Sequence, residues 1–133
     1  PQTVVAKDLP KPIDDHTTTR TTFLFDQTKW ETKQLAKATL SFKIQHTYPG
    51  DLTVKLQSPS GNLIEIYKGS GRGSEVNFQQ DITSLIEELS PKGTWTLLVH
   101  DKAYQDHGQL IKAQLTFLAA SYKCHKNELA FKQ

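Results

Sequence analysis

The sequence predicts an all-β fold, an antiparallel β-sandwich with at most one short helix. Three observations lead there. Six to eight segments alternate apolar and polar residues at period two, turn chemistry recurs roughly every ten residues, and a single short segment carries helical spacing. An α/β fold would instead alternate its strands with long helices.

Residues 1–19 are rich in Pro, Asp and Thr and read as an extended lead-in or linker, with Val4 and Val5 suited to a short edge strand. Thr17, Thr18, Thr19, Thr21 and Thr22 then form a β-branched run into Phe23-Leu24-Phe25, which predicts the first firm strand. In Lys33 to His46 two signals compete. Leu35 to Ala38 has helical propensity, yet Ala38, Leu40, Phe42 and Ile44 alternate with Thr39, Ser41, Lys43 and Gln45 over a longer span, so a long strand is expected. It runs into the turn His46-Thr47-Tyr48-Pro49-Gly50-Asp51. Leu52, Val54 and Leu56 then repeat at period two, and Ser58-Pro59-Ser60-Gly61 supplies a second turn. The strands on either side of the Pro49-Gly50 turn are expected to pair as an antiparallel hairpin.

Ile64 and Ile66 are expected inside the next strand, with Glu65 and Tyr67 facing out. Gly69 to Ser74 reads as a flexible loop, and Val76 and Phe78 centre a short strand. Gly69-Ser70-Gly71-Arg72-Gly73 does not open a helix, so it lacks the context of a phosphate cradle. Ile82, Leu85, Ile86 and Leu89 show the spacing i, i+3, i+4, i+7, which predicts about two helical turns capped by Asp81, with a strand as the alternative because the segment is short. Trp95, Leu97 and Val99 alternate with Thr94, Thr96 and Leu98, so Trp95 belongs in the core. Lys102 to Gly108 is a polar loop. The last strand, Gln109 to Leu118, puts Ile111, Ala113, Leu115 and Phe117 on one face, and a basic tail follows from Ala119. The organisation expected is thus a lead-in over 1–19, a sandwich over 20–118 and a tail over 119–133. Jelly-roll and immunoglobulin-like topologies both satisfy this spacing.

Composition narrows the function. A chain of 133 residues can bury about two-thirds of its unfolded surface without staples. Sixteen Lys and Arg against fourteen Asp and Glu give a net charge of +2, scattered along the chain, which speaks against nucleic acid. No apolar run approaches the roughly 18 residues of a membrane span. Pro1 opens the chain without an apolar signal-type segment, as expected of a processed or excised piece. Cys124 is the one cysteine and has no internal partner for a disulfide.

No Gly-x-Ser-x-Gly elbow accompanies the histidines and serines, so a serine hydrolase site is not expected. His46, His100-Asp101 and Asp106-His107 flank a polar loop instead of forming tight pairs on a rigid element, which disfavours zinc. Calcium suits the residues better, because it takes carboxylates and loop carbonyls in flexible geometry. Asp51 at one strand mouth, with Asp101 and Asp106 around the loop after another, form the candidate set. The plain structural reading is that Asp51 caps its turn and Asp101 accepts backbone N–H groups. Trp30 and Tyr48 lie on no apolar stripe and are candidates for docking protein or carbohydrate.

Three segments in order, His46-Thr47-Tyr48-Pro49-Gly50-Asp51-Leu52 with Ser58-Pro59-Ser60-Gly61, then Gly93-Thr94-Trp95-Thr96-Leu97-Leu98-Val99-His100-Asp101, then Gly108-Gln109-Leu110 with Leu115-Thr116-Phe117, resemble the P domain (P/Homo B domain). That domain follows the catalytic domain of kexin- and furin-like proprotein convertases and occurs in secreted bacterial subtilisin-like serine proteases and metalloproteases. The resemblance covers about residues 20–118. It implies a sandwich of jelly-roll, galactose-binding-like type without an active site of its own. It also implies a partner in cis, the catalytic domain of a subtilisin-like or related protease, whose folding, stability or substrate engagement the module assists. A secreted location follows from the same resemblance, and some members bind calcium at the positions of Asp51 and Asp101. The chain departs from the family pattern at Ala113, where a Trp is usual, and at Ala119-Ala120, where a Gly often follows. The competing expectations are a module that binds carbohydrate or a matrix protein through an aromatic such as Trp30, and a free-standing structural module.

Overall fold

The computed structural model describes residues 2–14, 16–26, 33–46, 52–69, 74–86, 90–102 and 108–121. These residues form nine strands: β1 (Gln2–Val5), β2 (Lys11–Ile13), β3 (Thr18–Phe25), β4 (Lys33–His46), β5 (Leu52–Gln57), β6 (Leu63–Lys68), β7 (Glu75–Asp81), β8 (Gly93–Asp101) and β9 (Gly108–Ser121). All pairings are antiparallel. Sheet A runs β1-β9-β4-β7, with β2 also on β9, and sheet B runs β3-β8-β5-β6. From β3 to β5 and from β6 to β9 each strand lies in the opposite sheet to the one before it. This interleaving is the jelly-roll arrangement, which strand spacing alone left open.

The alternating strands bury their apolar parity. Ala38, Leu40, Phe42 and Ile44 of β4 face Leu52, Val54 and Leu56 of β5 and Trp95, Leu97 and Val99 of β8 across one continuous core. The largest buried rings meet at the centre. Phe117 lies 4.5 Å from Phe25 and 5.3 Å from Trp95, centroid to centroid. The indole Nε1–H of Trp95 donates to the Pro91 carbonyl at 2.8 Å, so its single polar atom is satisfied inside the core. Phe42 stacks on Phe78 at 4.7 Å.

The structure departs from the sequence expectations at five places, each with a physical reason. The strands flanking the Pro49-Gly50 turn do not pair as a hairpin: β4 belongs to sheet A and β5 to sheet B, so the link crosses the sandwich. Both strands bury one full apolar parity, and facing across the core satisfies that as well as pairing would. Within segment 1–19, β1 is the short edge strand expected at Val4 and Val5, on Gln114 to Phe117 of β9, but a second strand, β2, also pairs Gly108 to Leu110 where only extended lead-in was expected.

Helical spacing over 82–89 yields a single 3-10 turn, Thr83–Leu85, within the described residues. Ile86 is already extended, with φ −99° and ψ 125°. Ile82 is buried while Leu85 is exposed, so no helical stripe forms. Asp81 does cap this turn, its Oδ1 accepting the Thr83 N–H at 2.9 Å.

Two bulges account for the remaining departures. In β9 the register passes from Lys112 opposite Lys43 to Leu110 opposite Ile44, so Leu110 is buried where Ile111 was expected. In β6 it passes from Tyr67 opposite Val54 to Glu65 opposite Lys55. That turns Tyr67 inward, its ring edge-on to Phe42 and Phe78 at 6.4 and 6.3 Å.

Segment 8–13 also covers the open edge of β3. Lys11 Nζ donates to the Arg20 carbonyl at 2.7 Å, and Thr19 Oγ1 to the Pro12 carbonyl at 2.7 Å. Asp8 accepts from Thr21 Oγ1 and pairs with Lys11; these two contacts hold its carboxyl below its ordinary value of 3.8. An edge covered in this way resists strand addition.

Candidate functional site

The strongest polar feature inside the sandwich lies where β4 and β8 end. His46 and Asp101 are the last residues of strands in different sheets, and His46 Nε2 lies 2.9 Å from Asp101 Oδ2. Both side chains are completely buried. The alternation of β4 and β8 sends both inward, since His46 follows Ile44 and Asp101 follows Val99 at period two. The imidazole N–H donates and the carboxylate accepts, which satisfies two groups that would be costly to bury alone.

Backbone bonds fix both ends of this bridge. The His46 N–H donates to the Ser74 carbonyl at 3.0 Å, and the Asp101 N–H to the Thr17 carbonyl at 3.1 Å. Gly108 stands opposite His46 in the β4–β9 register. A Cβ on Gly108 would lie 2.0 Å from the Gln45 carbonyl oxygen and 2.7 Å from His46 Cα, so only glycine lets β9 start there. At the opposite end of β8, Gly93 has φ +122°, and a Cβ on it would lie 2.6 Å from Pro59 Cβ. The sequence segments that looked most distinctive therefore meet in pairs: His46 with Asp101 and Gly108 at one corner, Pro59 with Gly93 at the other.

Of the candidate calcium ligands, Asp101 lies among the described residues; Asp51 and Asp106 lie outside them. Among the described residues no group of three or more His, Cys, Asp and Glu is placed to hold a metal ion. Among the described residues the Asp101 carboxylate is in contact with the His46 imidazole. The candidate docking residues Trp30 and Tyr48 are likewise outside the described residues, as is His107. His100 is adjacent to Asp101 in sequence but faces the other way. Its Nδ1 lies 3.0 Å from Thr18 Oγ1 on the outer surface of sheet B, so the two residues do not form one ligand pair.

Sequence reasoning did not find the direct His46–Asp101 pairing, because it depends on which strands cross between sheets. It also passed over Arg20 and Lys55. Strand parity places both on outer faces, but their shared position on sheet B needs the register. Among the described residues no helix is long and apolar enough to cross a membrane.

Comparison with known proteins gives the same picture. The chain is 37% identical over 82 residues to leupeptin-inactivating enzyme 1 of Streptomyces exfoliatus, covering 62% of this chain and 18% of that protein. It is 36% identical over 93 residues to a calcium-dependent protease of Trichormus variabilis, covering 59% of this chain and 13% of that protein. The chain thus spans less than a fifth of either relative. The fold matches the crystal structure of the serine protease of Aeromonas sobria with a TM-score of 0.64 at 16% identity, over 90% of this chain and 28% of that one. The family model described as the proprotein convertase P-domain matches residues 35–117, from β4 into β9, and the chain belongs to that family.

Proposed function

We propose that this chain is the non-catalytic accessory module of a secreted subtilisin-like or related protease, which it stabilises by packing in cis against the catalytic domain. The observation that supports this most is the P-domain match over residues 35–117, in a chain that corresponds to only 18% of one relative and 13% of another. A module tethered to its partner is held at high effective concentration. Any surface that binds the folded catalytic domain but not its unfolded chain then raises stability by mass action. The sandwich suits that role because its buried His46–Asp101 bridge and continuous core hold its surfaces in one shape.

The test is to express the parent protein with and without residues 2–121 and to measure yield of active enzyme and the rate of heat inactivation. Lower yield and faster inactivation on deletion are expected. Equal values in both would overturn the accessory role.

Calcium binding belongs to the same reading, through Asp51, Asp101 and Asp106. Asp51 directly precedes Leu52, the register partner of Asp101, and one relative is named a calcium-dependent protease. Ion binding at that corner would raise the melting temperature of the isolated chain. An unchanged midpoint at millimolar calcium would sink this part of the proposal.

A further inference from the structure

The outer face of sheet B carries a groove of about 290 Å³, lined by Thr18, Arg20, Thr53, Lys55, Leu63, Leu98 and His100. The strand register sets these residues in rungs. Thr18, His100 and Thr53 lie side by side across β3, β8 and β5, and Arg20, Leu98 and Lys55 form the next rung. Two cations therefore flank one leucine, with two threonine hydroxyls and an imidazole alongside. No Asp or Glu lines the groove.

Both cations lack a carboxylate partner, unlike others in the chain. Lys11 pairs with Asp8 and Lys43 with Glu75, but among the described residues neither Arg20 nor Lys55 has a carboxylate at ion-pair distance. Glu65 stands opposite Lys55 in the β5–β6 register and still makes no ion pair with it. Arg20 and Lys55 are both exposed. Their Cα atoms are two strands, or about 9.5 Å, apart. Same-side carboxylates of an extended peptide repeat about every 7 Å, a span the long cationic stems match by leaning inward.

We propose that this groove binds an extended acidic peptide segment supplied by a second protein chain, its carboxylates on Arg20 and Lys55 and its aliphatic groups on Leu98 and Leu63. The lining has no Trp, Tyr or Phe, the broad faces on which sugars stack best, which favours a peptide over a glycan. Placement favours a separate chain over a domain joined to this one. Gln2 pairs with Phe117 and Ser121 with Lys33, so both ends of the described chain lie in sheet A, at the end away from His46. The groove lies on the other sheet, at the Asp101 end.

The test uses the full chain and a fluorescein-labelled peptide of alternating glutamate and leucine, followed by fluorescence anisotropy at low and high salt. Binding is expected, and Arg20→Gln with Lys55→Gln should weaken it about tenfold or more, as should added salt. An equal charge change on sheet A, Lys37→Gln with Lys112→Gln, should leave it within about twofold. Absence of binding overturns the proposal, as does equal loss in the sheet A variant. A sulfated oligosaccharide that displaces the peptide at lower concentration than unlabelled peptide does also overturns it, and reassigns the groove to polyanionic glycans. Amide spectra of the variants verify that the sandwich is intact.

Discussion

His46 and Asp101 are 55 residues apart in the chain and 2.9 Å apart in space, joining the end of one sheet to the end of the other. The pair is completely buried, so neither group has water to fall back on. Removing one partner takes from the other a contact made wholly out of water, and that cost exceeds what the intact pair contributes.

Asp101→Ala and His46→Ala are each expected to lower stability by roughly 3–5 kcal/mol, read from urea unfolding. The double variant should lose clearly less than the sum, because each single change already removes the shared contact. Additive losses would mean that the two residues act separately.

Three glycines should rank by what surrounds them. Gly108→Ala drives a Cβ to 2.0 Å from a backbone carbonyl oxygen, which cannot give way without moving β4. It should cost the most, about 3 kcal/mol or more, with Gly93→Ala next because it meets a proline ring at φ +122°. Gly61→Ala has open space and only its φ of +98° to contend with, so about 1–2 kcal/mol is expected. Thermal melts of the three variants check the order, and a Gly61 loss larger than that of Gly108 would contradict it.

Trp95→Phe keeps a ring against Phe117 but deletes the donor to the Pro91 carbonyl and part of the core volume. A loss of about 2–3 kcal/mol is expected from these two effects together. The Trp95→Leu change removes the ring as well and should cost more.

Acid should weaken the cover over β3. Hydrogen bonds from Lys11 and then Thr21 lower the Asp8 carboxyl in the folded chain relative to 3.8. The unfolded chain therefore binds the proton more readily, so this contribution is whole above 3.8 and is lost as pH falls through the lower folded value. Asp8→Asn should cost under about 1 kcal/mol near neutrality, since the group is half exposed, and progressively less as the pH falls below 3.8. Unfolding midpoints measured across that range test the sign, and a variant penalty that grows on acidification would refute it.

Strand identity was readable because burial imposes period two on β4, β5 and β8, and nothing local competed with it for long. Leu35 to Ala38, the stretch with helical propensity, is strand and contains a register shift between Leu35 and Lys37. Period two cannot reveal a bulge, so alternation alone puts Ile111 and Tyr67 on the wrong face. Nor can it say which sheet a strand joins, since an apolar face is equally satisfied beside or across from its neighbour. The corner built by His46, Asp101 and Gly108 was visible only as three separate motifs. Its assembly is a tertiary event, decided by the crossover from β4 to β5.

The pairing of motifs at two corners, His46 with Asp101 and Gly108, Pro59 with Gly93, has a consequence for comparing members of this fold. The fingerprint reports how strand ends lock at the two ends of the sandwich, and it is silent about the broad outer surfaces. Two proteins can match at every one of these residues and still present unrelated faces to their partners. Differences in what such modules engage are best sought along the outward rungs, where a side chain such as Arg20 or Lys55 can change without disturbing a single corner.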